Sequence, residues 1–257
     1  MTGDNGERQR VKPAPAPGAG PTPLRRFYTE VTLVVVAEGH SLRLDGRMVR
    51  TPLGKPLVVP VAALAEAIAE EWRRQGERIE PGSMPMTRLA NTAIDRVAPR
   101  PADIMEEIVS YAASDLLLYR AEGPAELVRR QERLWDPVLA WAAREIGARF
   151  VVTTGVMHVT QPELALRAVR GAIAPLDPFT LTSLHNITTL TGSALLGLAL
   201  ALRHLGADEI WQAALVDEDW NREQWGTDPI DYQRRAVRRT ELDDAARFLV
   251  LGSAERD

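Results

Sequence analysis

The chain has 257 residues, a formal net charge of -4 and no cysteine. The lack of cysteine excludes disulfides, thiolate zinc sites, iron–sulfur clusters and a cysteine nucleophile. The mildly acidic balance gives no overall electrostatic attraction to nucleic acid or to an anionic membrane. Five prolines and four glycines occupy residues 1–23 without an apolar core segment, so this stretch predicts a disordered tail rather than a targeting peptide.

A small β unit is predicted after the tail. Residues 27–36 are rich in β-branched and aromatic side chains, and residues 41–44 and 48–51 flank the hairpin signal Asp45-Gly46. Residues 57–59 form a further short strand. The connections are too short for parallel pairing, which indicates an antiparallel unit. Apolar residues at helical spacing then predict a helix over residues 61–75, which should cover the apolar face of the sheet.

The rest of the chain has mostly helical periodicity, with a strand or extended connector over residues 150–160. The predicted helices cover residues 87–97, 102–119, 124–145, 162–173, 179–204, 207–225 and 229–250. Gly206 and Gly226 occupy positions where helices commonly end. We therefore expect an α+β protein. Its tail (1–23) should precede an N-terminal α+β domain with a small antiparallel β unit (24–122) and a C-terminal all-helical domain (123–257).

One uncharged stretch raises the question of a membrane span. Residues 178–202 contain no Asp, Glu, Lys or Arg. The first half is rich in Thr, Ser, His and Asn, and the wholly apolar part covers residues 194–202. A span needs about 20 apolar residues, so a buried core helix is the better interpretation and we expect no membrane-embedded segment.

Known catalytic motifs are missing from the sequence. It contains no GxxxxGK[ST] phosphate loop, no HExxH and no GxSxG. The four histidines are too far apart for a helical metal pair. We therefore expect no metal site and no cofactor.

A basic cluster lies on the last predicted helix. It consists of Arg234, Arg235, Arg238 and Arg239, with acidic residues at 241, 243 and 244. No aromatic residue lies among these arginines, which weakens a nucleic-acid site. A solvated, salt-bridged face is favoured over phosphate binding.

The acidic segment Asp217–Asp219 stands out on the predicted helix 207–225. At about 100° per residue, Glu218 lies about 20° from Trp211 on the apolar stripe, and Trp225 lies about 40° from it. Trp220 then falls near the opposite side and is the best candidate for an exposed tryptophan. A carboxylate thus occupies a core position.

Three interpretations of this segment remain open. Glu218 can pair with Arg222 four residues later, leaving Asp217 and Asp219 solvated. The segment can instead contact a partner or another domain. A small-molecule enzyme using Glu218 as an acid or base is the third, and it lacks a second catalytic group in the sequence.

Several short motifs together resemble one family. They are residues 25–28, 50–52, 71–72, 84–95, 135–137 and 217–226. In this order and spacing they resemble the assembly chaperone for the alpha subunit of ATP synthase, called F1-sector assembly factor 2 in mitochondria. The similarity covers residues 25–251. Each motif is weak alone, whereas the ordered set is specific. Asn221 departs from the family, which usually carries Gln there.

This resemblance implies a chaperone without enzymatic activity, which binds the free alpha subunit (its client) before alpha pairs with beta. It also implies an N-terminal α+β domain followed by a helical domain. The acidic segment is a functional hallmark of the family, and it maps onto Asp217, Glu218 and Asp219. Because tryptophan is a frequent interface anchor, the candidate client contacts are these three residues together with Trp220, Trp225 and Trp72, with core packing as the default alternative for Trp72. The missing presequence suggests a bacterial member acting in the cytoplasm, with the mitochondrial matrix as the location if the chain is eukaryotic.

Overall fold

The computed structural model describes residues 24–226 and 228–253. The predicted tail, residues 1–23, lies outside the described residues. The strands in the described part are β1 (Val31–Val36), β2 (Gly39–Leu44), β3 (Arg47–Met48), β4 (Val58–Val59), β5 (Tyr119–Arg120) and β6 (Thr153–Thr154). The helices are α1 (Ala62–Arg73), α2 (Pro85–Thr92), α3 (Pro101–Ala113), α4 (Ala125–Glu145), α5 (Glu163–Ile173), α6 (Pro178–Thr191), α7 (Ala194–Ala201), α8 (Ala207–Ala214), α9 (Val216–Trp225) and α10 (Pro229–Ser253).

The N-terminal sheet is antiparallel, as predicted. Strand β2 pairs with β1 along its whole length, from Val31 opposite Leu44 to Val36 opposite Gly39. On its other side β2 meets two short strands, β3 near its end and β4 near its start. Asp45 and Gly46 both have positive φ, at 47° and 78°, as a type I′ hairpin requires. The predicted Asp45-Gly46 hairpin is therefore confirmed.

Helix α1 covers this sheet. Leu64 and Ile68 of α1 are fully buried in one core cluster with Leu42 and Leu57 of the β unit. Phe248 of α10 is buried in the same cluster, so the last helix also packs on the N-terminal core. The predicted packing of α1 on the sheet is therefore confirmed. The physical reason is that an apolar sheet face must be shielded from water.

A second, larger core lies among the helices. Its central side chains are Trp135 and Val138 of α4, Leu184 of α6, and Leu195 and Leu198 of α7. The apolar stretch of α7 is buried, as predicted, and the described residues contain no helix long and apolar enough to cross a membrane. The fold class is therefore the predicted one, α+β. The domain boundary near residues 122–124 stays a prediction.

Three predicted helices are interrupted or shortened in the structure. The prediction over 179–204 splits at Gly192, whose φ of 70° ends α6, and Ser193 then caps α7 by accepting a hydrogen bond from Leu196 N–H. The prediction over 102–119 stops at Ala113, because Asp115 instead caps the 3-10 turn that follows. The prediction over 207–225 breaks at Leu215, which leaves helical geometry with φ -113° and ψ 14°.

Two smaller expectations are also settled. Gly206 begins α8 as its N-cap rather than ending a helix, whereas Gly226, with φ 84°, does end α9. The stretch 150–160 contains strand β6, which pairs parallel with β5. Pairing across the 32 residues between them depends on tertiary packing, so only the strand itself was accessible to sequence periodicity.

Candidate functional site

The acidic segment Asp217–Asp219 forms the first turn of α9, where carboxylates complement the positive end of the helix dipole. Glu218 accepts a hydrogen bond from the Arg238 guanidinium at 2.7 Å, and Asp219 lies 2.7 Å from Arg235. Both arginines belong to α10. Arg222, whose pairing with Glu218 stays a prediction, lies 3.7 Å from Asp219. The acidic segment and the basic cluster therefore form one interhelical network.

Asp217 is connected to the helical core. Its carboxylate accepts a hydrogen bond at 2.7 Å from the side-chain amide of Gln131, a residue of α4 that is 1% exposed. The carbonyl oxygen of the same amide accepts from the Ala121 backbone N–H at 2.9 Å. The interpretation of Asp217 as simply solvated is therefore wrong. Gln131 has no sequence signal for this role, because it is 86 residues away from Asp217.

The two tryptophans of α9 have opposite environments. Trp220 is buried at 9% exposure, and the Arg130 guanidinium lies over its ring at 4.9 Å. Trp225 is 78% exposed. The predicted exposure of Trp220 is wrong because the helix breaks at Leu215, so the angular projection from Trp211 does not extend into α9.

The basic cluster surrounds Trp211 of α8. The guanidinium carbons of Arg235, Arg238 and Arg239 lie 5.2, 6.0 and 5.6 Å from its ring centroid. Arg239 also contacts Asp208 and Asp243. An aromatic face thus does meet these arginines, supplied by another helix. The predicted salt-bridged face is confirmed, with most of its acidic partners on α8 and α9 rather than on α10.

A cleft opens between the end of α9 and the start of α10. It has a volume of about 470 Å³, and its lining includes Glu218, Asn221, Trp225, Arg234 and Arg238. Trp225, which lines the cleft, is 78% exposed. Three further apolar residues of α10 are exposed outside this lining: Ile230 (57%), Tyr232 (62%) and Val237 (59%). The lining of this cleft combines paired charges with the large exposed ring of Trp225, a composition found in protein interfaces.

Trp72 belongs to the N-terminal core instead. Its ring lies edge-on to that of Tyr28 at 5.6 Å, and the Tyr28 hydroxyl donates to the Trp72 carbonyl at 2.7 Å. Burial raises the pKa of this hydroxyl above its ordinary value. Trp72 also lines a cleft of about 530 Å³ with the exposed Phe27. The structure therefore does not bring Trp72 together with the acidic segment.

Other residues of the family motifs hold the fold. Glu71 accepts hydrogen bonds from the Met86 and Thr87 N–H groups at 2.7 and 2.8 Å, so it caps α2. Trp135 Nε1 donates to the Ala213 carbonyl at 2.8 Å, and Asp136 pairs with the buried Arg120 at 2.6 Å. These motif residues therefore have roles in holding the fold together rather than in catalysis.

The network offers charge pairing rather than proton transfer. Glu218 is paired with a guanidinium, which stays protonated at neutral pH and does not act as a proton donor. Among residues 24–226 and 228–253, no group of three or more His, Cys, Asp or Glu side chains is arranged to hold a metal ion.

Comparison with known proteins identifies relatives of the whole architecture. Residues 25–143 match the family described as ATP12 chaperone protein. The mitochondrial protein atp12 of Schizosaccharomyces pombe is 21% identical over 220 residues, which cover 80% of this chain and 76% of the relative. The mitochondrial protein ATP12 of Saccharomyces cerevisiae is 24% identical over 263 residues, covering 84% of this chain and 81% of the relative.

Solved structures agree with these matches. The crystal structure of Atp12 from Paracoccus denitrificans is 41% identical, with a TM-score of 0.86 over 89% of this chain and 98% of the other. The Atu1473 protein from Agrobacterium tumefaciens is 45% identical, with a TM-score of 0.84 over 88% of this chain and 85% of the other. The chain therefore belongs to the ATP12 chaperone family, a family of ATP synthase assembly factors.

Proposed function

We propose that this chain binds the free alpha subunit of ATP synthase and prevents its aggregation until its partner subunit arrives. Membership of the ATP12 chaperone family supports an assembly role. The observation that carries the proposal is the exposed Trp225 at the rim of a cleft lined by paired charges. An apolar anchor of this size, left in water, is most readily explained by a partner that covers it.

The chemistry of the surface suits a temporary complex. A free subunit exposes apolar surface that is meant for its partner, and such patches drive aggregation. The chaperone must cover about 800 Å² per side to bind specifically, and it must then release the client. Held charges around an apolar anchor select the client and set the association rate more than they add affinity.

The residues of the acidic segment have different roles in this proposal. Glu218, half exposed, and Trp225 contact the client directly. Asp217, Asp219 and Trp220 hold α9 on α4 and α10, so that the contact residues keep their positions. Trp72, beside the exposed Phe27, is a further candidate contact on the N-terminal part.

The alternative of an acid–base enzyme is less well supported. Glu218 would need a neighbouring group that exchanges protons near neutral pH, and its partner is the Arg238 guanidinium. The pairing of Glu218 with Arg238 favours a role of Glu218 in contacting the client.

Two relatives are named as mitochondrial proteins. We place the action of this chain where the alpha subunit folds, in the bacterial cytoplasm or, for a eukaryotic chain, the mitochondrial matrix.

The proposal is tested by aggregation of purified alpha subunit, followed by light scattering. We expect equimolar chaperone to suppress the scattering of alpha, and a pull-down to recover alpha in preference to beta. Equal recovery of beta and of unrelated unfolded proteins, or no recovery of alpha, would contradict the proposal.

A further inference from the structure

The loop that joins α4 to α5 carries exposed apolar side chains. Val156 is 93% exposed and the adjacent Met157 is 78% exposed. Val152, earlier in the loop, and Leu164, in the first turn of α5, are 44% and 71% exposed. Single apolar residues at a surface are ordinary, whereas several in one short segment indicate a surface that another molecule covers.

Defined hydrogen bonds hold this loop. The Gln161 side chain, 5% exposed, accepts from the Val151 N–H at 2.8 Å and donates to the Val151 carbonyl at 3.0 Å, which closes the two ends of the loop. Next to strand β6, the Gly155 N–H donates to the Arg120 carbonyl at 2.8 Å. Gly155 has φ 81°, which glycine adopts without strain. The apolar tip is therefore positioned before any partner binds, and its docking costs little conformational entropy.

The base of the loop is bonded to the acidic segment. Ala121, the residue after Arg120, donates its N–H to the Gln131 side chain at 2.9 Å, and the same side-chain amide donates to Asp217 at 2.7 Å. Three hydrogen bonds, each shorter than 3 Å, therefore lead from Gly155 through Gln131 to the first turn of α9. The apolar tip and the proposed contacts of α9 thus belong to one connected framework.

We infer that the tip of this loop is a second contact for the alpha subunit, and that Val156 and Met157 enter an apolar depression on that client. The inference rests on the proposed function and adds an apolar contact to the charged one at Glu218. Methionine suits this role, because its flexible and polarisable side chain adapts to irregular apolar surfaces.

The size and charge of the loop favour this occupant over two others. A specific interface buries about 800 Å² per partner, and two side chains supply only a small part of that area. A dimer through the tip alone is therefore disfavoured, whereas the connected surface of α9 and α10 extends the contact with a client. An anionic membrane is disfavoured because residues 150–160 contain no Lys or Arg, and because the Glu122 carboxylate lies beside Gly155.

Removal of the two apolar side chains tests the contact. For the double variant Val156→Ser, Met157→Ser we expect the Kd for alpha to rise about tenfold, through faster dissociation. The urea midpoint should not change, since both side chains are exposed in the free chain. The salt dependence of binding should not change either, since no charge is removed. Surface plasmon resonance at several salt concentrations measures these effects.

The matched control removes two exposed apolar side chains elsewhere. Val35→Ser, Val250→Ser acts at positions that are 80% and 62% exposed, and it should bind alpha as the native chain does. Unchanged affinity of the loop variant, an equal loss in the control, or a lowered urea midpoint of the loop variant would overturn the inference while the proposed function stands. If the native chain does not bind alpha, both fail.

A fluorescent label identifies the occupant. The chain has no cysteine, so Thr154→Cys introduces a unique, exposed site for an environment-sensitive fluorophore and leaves Val156 and Met157 in place. Val35→Cys carries the control label. We expect alpha to shield the label at 154 from a soluble quencher and to leave the label at 35 accessible. Shielding in the chain alone would identify a second copy or another part of the chain as the cover, and shielding by phosphatidylcholine–phosphatidylglycerol vesicles would identify a lipid surface. Either result would overturn the assignment to alpha.

Discussion

The Arg238 guanidinium donates to the Glu218 carboxylate across 2.7 Å and thereby joins α10 to α9. Both side chains keep part of their surface in water, at 32% and 50% exposure. A pair of this kind adds little to folding stability, because solvent screens it and two long side chains must be immobilised. Its consequence is positional, since it holds a carboxylate and a guanidinium at one edge of the cleft near Trp225.

Reversal of the charge at Glu218 should separate binding from stability. We expect Glu218→Lys to weaken alpha binding at least tenfold, while the free energy of unfolding changes by less than about 1 kcal/mol. Titration calorimetry and urea denaturation measure the two effects. Glu106→Lys is the control, because Glu106 of α3 makes a similar pair with Arg170 of α5 at 2.8 Å. This substitution should leave alpha binding unchanged.

The exchange of the two charges sharpens this test. In the double variant Glu218→Arg, Arg238→Glu the interhelical pair can re-form with opposite polarity. We expect alpha binding to stay weak, because the charges presented to the client are inverted. Full recovery of binding would show that the pair serves only to hold the two helices together.

The two tryptophans of α9 should respond differently to truncation. Trp225→Ala removes an exposed ring, so we expect a loss of alpha binding of about 2 kcal/mol or more and an unchanged melting temperature. Trp220→Ala removes a buried ring and should lower the free energy of unfolding by about 3–5 kcal/mol. Calorimetric binding and thermal unfolding of both variants provide the comparison. Unchanged affinity of the Trp225 variant would remove this residue from the contact surface.

Asp115 should make stability depend on pH. It is fully buried and accepts hydrogen bonds from the Leu117 and Leu195 backbone N–H groups, and burial raises its pKa to about 6 from 3.8. Between these two values the unfolded chain loses the proton while the folded chain keeps it. Stability therefore falls as pH rises from about 4 to about 6, by a total of about 3 kcal/mol, and stays level above that.

The Asp115→Asn variant isolates this effect, because asparagine does not ionise. Urea unfolding of both proteins at several pH values gives the difference in free energy of unfolding, from which the contributions of all other groups cancel. We expect the advantage of the native protein over the variant to shrink between pH 4 and pH 6. A difference that stays constant over this range would contradict the assignment.

Glu71 should contribute to the fold through its cap on α2. Glu71→Ala leaves the Met86 and Thr87 N–H groups without their acceptor, so we expect the free energy of unfolding to fall by about 2 kcal/mol. The neighbouring Glu70 pairs with Arg74 at the surface, and Glu70→Ala should be indistinguishable from the native protein. Urea denaturation compares the two. Alpha binding should persist in both variants, since neither residue lies at the proposed contacts.

Local signals were sufficient for much of the fold. The hairpin at Asp45-Gly46 requires positive φ at both positions, and short polar residues and glycine accept it. Helix α4 begins directly after Pro124 and ends before Gly147, which has φ 74°, so its limits follow from residues beside it. The break at Gly192-Ser193 carried a similar signal, a glycine followed by a capping serine, within a stretch predicted as one continuous helix.

The candidate site depended on packing instead. A prediction from helical periodicity assumes that the helix continues. Leu215 separates α8 from α9, and no proline or glycine at this position marks the break. The burial of Trp220 and the exposure of Trp225 follow from that break. The partners of the acidic segment, Gln131 and Arg238, lie far along the chain, so their pairing depends on how α4, α9 and α10 are arranged.

The sequence by itself determined the class of the protein, its main elements and its family resemblance, because these follow from local periodicity, turn residues and an ordered set of motifs. Only the tertiary structure decided that the acidic segment and the basic cluster are one network, that Trp225 rather than Trp220 faces water, and that the loop between α4 and α5 is joined to the acidic segment through Gln131. The reason is physical. Contacts between helices depend on the orientation of whole elements, and one interrupted turn changes which side chains meet.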